Sequence, residues 1–298
     1  MSAETRTAIA FLGTGTLGSA MVLRLLSQGI AVTVWNRTPS KLKVLLDSGA
    51  TAAATPRDAA AAASLVALCL TDAAAVEEVV FGAEGIWQAD RSAGATPRLV
   101  VDFSTIGPQA SQDFAARLAR ASGDRWLDSP VSGGVRGADA GTLILFCGGA
   151  AQDLARAGAV LQAVATRATH VGNVGAGQAV KLCNQLIVAT TLLAIADAVA
   201  LGRDCGVDVA ALPATLADGF ADSTLLRLFG PRMAARQIEP RTGTIGTMSK
   251  DVELTSLMAE HVGVASPLLT AVRHIYREHC SGGHTSDDLV ALGPEILR

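Results

Sequence analysis

The sequence predicts an α/β fold in which a doubly wound, mostly parallel sheet occupies residues 1–171 and an all-helical domain occupies residues 172–298. Three observations carry this prediction. Short apolar runs alternate with helical stretches through the first half. A glycine-rich turn, Gly13-Thr14-Gly15-Thr16-Leu17-Gly18, joins the first of those runs to the first helix. Past Val171 the strand pattern stops, and helical periods broken by Gly-Pro and Pro signals take over. A length of 298 residues suits two domains.

In order, Thr7–Leu12 reads as a buried strand, Gly18–Gln28 as a helix closed by Gly29, and Ala31–Trp35 as a second strand. Thr38-Pro39 opens a helix, with Thr as N-cap and Pro at the first helical position. Thr55-Pro56 repeats that signal inside an alanine-rich stretch, Ala52–Ala63, which reads as helix. Further strands are expected at Leu65–Leu70, Arg98–Asp102, Arg125–Leu127, Leu143–Cys147 and, briefly, Thr169–Val171. Gly172–Gly177 is a loop, and Gln178 to Arg203 forms one long helix, apolar nearly all round and therefore expected to be buried on several sides.

Composition narrows the functional classes. Half the residues are hydrophobic, 17% are charged and the net charge is −3, so nothing favours nucleic acid or an anionic membrane as partner. Five scattered cysteines without a C-x-x-C point to a reducing compartment, with thiols used as small buried hydrophobes. The start lacks a charged n-region and a long apolar core. The longest uncharged apolar stretch, Leu182–Ala196, is about 15 residues, short of a membrane span. A soluble, cytoplasmic protein is expected, and the apolar helix suggests a homodimer or homotetramer.

The turn Gly13–Gly18 is G-x-G-x-x-G between a strand and a helix, the setting of a Rossmann dinucleotide site. Gly13 permits the tight turn, Gly15 lets the backbone approach a pyrophosphate, and Gly18 lets helix and strand pack; Thr16 and Leu17 sit at the helix start, where free N–H groups meet the anion. The second strand ends in Asn36-Arg37-Thr38 rather than in the carboxylate that would hold an NAD ribose. A neutral Asn36 beside Arg37 and the Thr38 hydroxyl suits a 2′-phosphate, so all three are read as cofactor residues and the cofactor expected is NADP, with NAD as the alternative.

Three further segments bear chemistry. Asp128-Ser-Pro-Val-Ser-Gly-Gly134 sets Ser132, Gly133 and Gly134 directly after a strand, where a hydroxyl and adjacent N–H groups make a nest for a carboxylate; a plain turn is the alternative. Of 24 basic residues only Lys41, Lys43, Lys181 and Lys250 are lysine, and lysine, unlike arginine, can give up its proton. Lys181 and Asn184, three apart, share one face of the long helix. A desolvated Lys181 suits proton transfer, whereas a snorkelling one would be only structural. Lys250-Asp251 is either functional or a surface ion pair. His274, His279, Cys280 and His284 follow no zinc spacing, and no metal is expected.

Through these motifs the chain resembles the β-hydroxyacid dehydrogenases over almost its whole length: the Gly13–Gly18 turn, Asp128–Gly134, Gly175–Asn184 and Lys250-Asp251 occur in the family's order. The resemblance implies that Lys181 is the catalytic lysine, general acid in reduction and general base in oxidation. It implies that Ser132, Gly133 and Gly134 hold the substrate carboxylate and that Asn184 orients the substrate. It also implies that Leu70, Thr71 and Thr105 lie at the cofactor and that Lys250 reaches it from the second domain. The Asn-Arg-Thr ending looks like the NADP-using branch that reduces semialdehydes and glyoxylate. Departures are Gln185 where a second Asn is common, Ser129 for Ala, and Leu17 for Met.

The reaction so implied is reduction of a short aldehyde acid (tartronate semialdehyde, glyoxylate or succinic semialdehyde) to the hydroxy acid, or the reverse oxidation. The segment Leu216–Met233 is expected to shape the pocket. Two rivals are an imine or ketone reductase, against which Lys181 argues, and a non-catalytic NADPH-binding relative. 6-Phosphogluconate dehydrogenase shares the motifs but needs a much larger helical domain.

Overall fold

The computed structural model describes residues 8–61, 63–90 and 96–293; Thr7, where the first predicted strand begins, and Ala62 lie outside these. The chain forms two compact units, residues 1–181 and 182–298. The division falls inside a helix, whereas the sequence placed a boundary before it.

The first unit runs β1 (Ala8–Leu12), α1 (Thr16–Ser27), β2 (Ala31–Trp35), α2 (Lys43–Asp47), β3 (Thr51–Ala52), α3 (Pro56–Ala61), β4 (Leu65–Leu68), α4 (Ala73–Phe81) and β5 (Leu99–Asp102). It continues through α5 (Pro108–Ser122), β6 (Arg125–Asp128), β7 (Val131–Ser132), α6 (Gly134–Ala140), β8 (Leu143–Gly148), α7 (Ala151–Val164) and β9 (Ala165–Gly172). The strands form one sheet in the order β3-β2-β1-β4-β5-β6-β8-β7, with β9 paired to β8. Pairing is parallel from β3 to β6 and antiparallel where β8 meets β6 and β7. Strand order reverses at β1, which lies between β2 and β4, and that reversal opens a crevice above the strands' carboxyl ends.

The apolar runs of β4 and β5 are buried at every position, as expected of strands covered by helices on both faces. Period two then assigns the faces. Ile9, Phe11, Val32, Val34, Leu65, Ala67, Leu99 and Val101 pack with Met21, Val22 and Leu25 of α1 and with α7. Ala10, Leu12, Val66, Leu68 and Val100 pack on the opposite face with Val76 and Val80 of α4 and Phe114 and Leu118 of α5.

Several local expectations are corrected. Thr38 does not cap a helix with its side chain; Pro39–Leu42 is a single 3-10 turn leading into α2. The alanine-rich stretch is helical only from Pro56, because Thr51–Ala52 pairs with β2 as an edge strand. Thr55 does cap, accepting the Asp58 N–H at 3.0 Å. The last strand is eight residues long rather than three, and the sequence hid it because five of its side chains are exposed on an edge. Cys147 is a buried thiol, but Cys183 and Cys205 are exposed, so burial does not describe all five cysteines.

Helix α8 (Ala176–Asp204) begins in the first unit and carries the chain into the second. At 29 residues it is long and apolar enough, by length and composition, to cross a membrane; the uncharged stretch within it stops at Asp197, but the helix does not. α9 (Leu212–Thr215), α10 (Thr224–Ala235), α11 (Ile245–His261) and α12 (Pro267–His279) follow. Leu192, Ile195, Ala196 and Val199 of α8 form the core of this unit with Phe229 and Met233 of α10, Ile245 and Val252 of α11, and Val272 and Tyr276 of α12.

A buried ion pair fastens β5 to the end of α5. The Arg98 guanidinium lies 2.9 Å from Asp124 Oδ2, and Asp124 also accepts the Arg98 backbone N–H at 2.9 Å. Both side chains are almost fully buried. Removing one partner leaves the other charge buried and uncompensated, so Asp124→Ala is expected to lower stability by about 3–5 kcal/mol in urea unfolding.

Candidate active site

At the crevice, the glycines of the first turn are required for different reasons. Gly13 has φ +95°, and a Cβ there would lie 2.4 Å from the Cys69 carbonyl oxygen. At Gly18 a Cβ would lie 2.1 Å from the Gly13 carbonyl oxygen and 3.2 Å from the Phe11 ring. These two are glycine because the chain's own packing excludes a side chain. Gly15 is different: its φ of −66° suits any residue, and a Cβ would meet nothing within 4 Å. It is exposed at the N-terminus of α1, whose first turn holds no acidic residue. The space it leaves open, beside free N–H groups, fits the close approach of a pyrophosphate. Thr16 is exposed and Leu17 half-buried at the same helix start.

The end of β2 is tied to this turn. Asn36 Nδ2 donates to Thr14 Oγ1 at 2.8 Å, and Asn36 Oδ1 accepts the Thr38 N–H at 2.9 Å. Asn36 therefore braces the turn, while Arg37 and Thr38 are exposed beside it. Leu70 and Thr71 follow β4 across the crevice; the Leu70 N–H donates to Ser104 Oγ at 2.9 Å, which binds that loop to the one after β5 carrying Thr105.

Behind the loops lies a buried polar network. Gln178, fully buried on the first turn of α8, accepts the Ile106 and Gly107 N–H groups at 3.0 and 3.1 Å and donates to the Ser104 carbonyl at 2.8 Å. Asp128, at the end of β6, accepts the Gly175 N–H at 2.7 Å and the Gln178 N–H at 2.9 Å. Its carboxylate thus caps α8 one turn before Lys181, which is 8% exposed. Lys181 is a buried side chain, not a surface one. Asp128 and Gln178 were not among the residues singled out from sequence, although Asp128 opens a motif that was quoted; a buried polar residue three positions before the lysine is the signal that could have found Gln178.

Ser132 ends β7, and Gly133 and Gly134 follow with φ of +119° and +60°. Both glycines are exposed, in a turn whose positive φ angles favour glycine. In the second unit, Asn184 Nδ2 donates to Gln185 Oε1 at 2.9 Å, and Gln185 Nε2 donates to Asp251 Oδ2 at 2.6 Å. Lys250 Nζ lies 2.9 Å from Asp251 Oδ1, and Asp251 is only 3% exposed, so this is not a surface ion pair. The histidines near the end point to separate partners: His274 to Glu278, His279 to the Ile275 carbonyl, His284 to Asp287.

Burial pushes the Asp128 carboxyl up to about 6, and the N–H groups of Gly175 and Gln178 only partly offset that. A carboxyl raised by folding makes the folded chain take up a proton before the unfolded chain does, so its ionisation opposes folding above pH 6 and that cost fades as pH falls. From pH 7.5 to pH 5 the folded state gains about 1.4 kcal/mol from this group. Measured by urea unfolding, the stability of wild type relative to Asp128→Asn should be higher by that amount at pH 5 than at pH 7.5. An unchanged difference would return this carboxyl to its ordinary range.

Residues 8–172 match the family model of the NAD binding domain of 6-phosphogluconate dehydrogenase. Residues 175–293 match that of the NAD-binding of NADP-dependent 3-hydroxyisobutyrate dehydrogenase. The chain is 33% identical to 3-hydroxyisobutyrate dehydrogenase of Pseudomonas aeruginosa, covering 92% of each chain. It is 30% identical to 2-hydroxy-3-oxopropionate reductase of Escherichia coli, covering 95% of each. A solved structure of Mycobacterium tuberculosis 3-hydroxyisobutyrate dehydrogenase with L-serine superposes with a TM-score of 0.85 at 28% identity, covering 96% of this chain and 98% of that one. With an N-terminal mostly parallel Rossmann-like sheet followed by a helical domain, the chain belongs to the β-hydroxyacid dehydrogenase family and is an NAD(P)-dependent 3-hydroxyacid dehydrogenase.

Proposed function

We propose that the chain reduces a short aldehyde acid to its hydroxy acid with NADPH, the reverse oxidation running through the same groups. The observation that carries this reading is Lys181: a buried lysine on α8, one turn past an N-terminus capped by Asp128. Bound NADPH supplies the hydride. As the carbonyl oxygen gains negative charge, Lys181 Nζ gives it a proton, help worth about 10²–10⁴ in rate. The Ser132 hydroxyl and the N–H groups of Gly133 and Gly134 hold the substrate carboxylate, and Asn184 orients the carbon between them, so that the carbonyl is aligned before reaction. Gly13, Gly15, Thr16, Leu17 and Gly18 take the pyrophosphate, with Leu70, Thr71 and Thr105 beside the cofactor.

NADP is preferred over NAD in this reading because no carboxylate closes β2. Asn36 is engaged with Thr14 and Thr38, and the exposed Arg37 guanidinium is left to meet a 2′-phosphate. The candidate substrates are tartronate semialdehyde (2-hydroxy-3-oxopropionate), glyoxylate and succinic semialdehyde.

The test follows NADPH and NADH oxidation with each of these acids. Turnover is expected to favour NADPH and to fall about 10²–10⁴-fold in Lys181→Ala. Arg37→Ala should raise the KM for NADPH about 10- to 100-fold, the loss of a charge-assisted hydrogen bond, and leave NADH use nearly unchanged. Equal loss with both cofactors would remove the 2′-phosphate reading. A separate expectation concerns Gly15→Ala. Its unfolding free energy should stay within about 0.5 kcal/mol of wild type, since nothing in the chain opposes the added methyl. NADPH affinity, read by fluorescence titration, should fall at least tenfold.

A further inference from the structure

Hydrogen-bond polarity passes along a chain of side chains in the second unit, and it ends at Asn184. Asp251 is 3% exposed and ion-paired with Lys250, so its carboxylate only accepts. Gln185, 7% exposed, must therefore turn its amide nitrogen toward Asp251, as the 2.6 Å contact has it. Its Oε1 then faces the other way and takes the Asn184 Nδ2 hydrogen at 2.9 Å. With Nδ2 held there, Asn184 Oδ1 points away from Gln185. Neither amide is left to rotate: one carboxylate decides both orientations.

We infer that Gln185 is a positioning and specificity-determining residue. It fixes the Asn184 amide so that a carbonyl oxygen, an acceptor, is presented to the substrate, and so selects acids bearing a hydrogen-bond donor beside the reacting carbon. This rests on the proposed reading of Asn184 as a substrate group. Lys181 and Asn184 are one turn apart on α8, roughly 5–6 Å, so when Lys181 meets the oxygen on the aldehyde carbon Asn184 meets the substituent on the carbon next to it. A hydroxyl or ammonium there donates to Oδ1; a methyl leaves that oxygen without a partner.

Two aldehyde acids that differ only at that carbon provide the test: 2-hydroxy-3-oxopropionate and 2-methyl-3-oxopropionate. Wild type should favour the hydroxyl substrate about tenfold or more in kcat/KM. In Gln185→Met, which keeps the length and loses both bonds, the preference should shrink to about threefold or less. The exchange Gln185→Glu with Asp251→Asn restores an acceptor toward Asn184 and should keep the preference; this variant decides the matter if Gln185→Met does not fold. The corresponding hydroxy acids, titrated calorimetrically against the protein with NADPH, a mixture that cannot react, should show the same ratios. If wild type reduces neither aldehyde, the reductase reading fails and those binding ratios alone judge Gln185. A preference unchanged in folded Gln185→Met, lost in the exchanged pair, or absent from wild type binding would overturn the inference.

Discussion

The carboxylate of Asp128 does for α8 what a local capping box does for most helices, from 47 and 50 residues away. It holds the end of β6 against the first turn of α8, and through Gln178 that turn holds the loop after β5, which in turn receives the Leu70 N–H from the loop after β4. Two crevice loops, the end of β6 and the helix bearing Lys181 are thus indexed to one buried anion. The fit is tight enough to dictate glycine at two positions. A Cβ on Gly177 would lie 2.6 Å from Asp128 Oδ2, and one on Gly148 would lie 2.7 Å from Oδ1.

That anion differs in kind from two other buried carboxylates. Asp124 is paired with Arg98, and Asp153 with Arg125 at 2.7 Å, so each has a cation that offsets its desolvation. Around Asp128 the partners are backbone N–H groups of a helix start, and they do not fully offset burial, which is why its carboxyl rises to about 6. A pair such as Arg98 and Asp124 locks structure. A carboxylate kept at a cost to stability, at the base of the helix that carries the candidate acid, is better explained by placement than by stability.

How much of this was legible in the sequence follows from the range of each interaction. Period-two burial, the glycine turn and the Thr55 cap are set by neighbours within a few residues, and the strands, the first helices and the first turn could be read from them. Lys181 stood out because it is a rare lysine in an apolar stretch. The cap on α8 could not be read, since Asp128 and Gly175 meet only through the sheet. Asn36 was read as a cofactor residue by its place after β2, and its bond to Thr14, 22 residues away, is likewise a contact between segments that the sequence did not display. The edge strand β9 was underestimated because alternation fails where one side of a strand has no sheet to bury it.

What the sequence did hold, and periodicity alone concealed, is a polar stripe on α8. Gln178, Lys181 and Gln185 fall at i, i+3 and i+7 and are 0%, 8% and 7% exposed. An apolar helix that buries three long polar side chains along one face needs partners for each, and the two amides find theirs in different units: Gln178 on the loop after β5, Gln185 on Asp251. The choice of amides beside the lysine has a consequence for acid–base work. An amide can satisfy a donor on one side and an acceptor on the other without adding charge. A carboxylate at either position would hold the lysine's proton more firmly and make it a poorer donor to a developing alkoxide. Asp128 therefore acts on α8 through the backbone N–H groups of its first turn, and Asp251 acts on Asn184 through the neutral Gln185 amide, while the stripe itself stays free of negative charge.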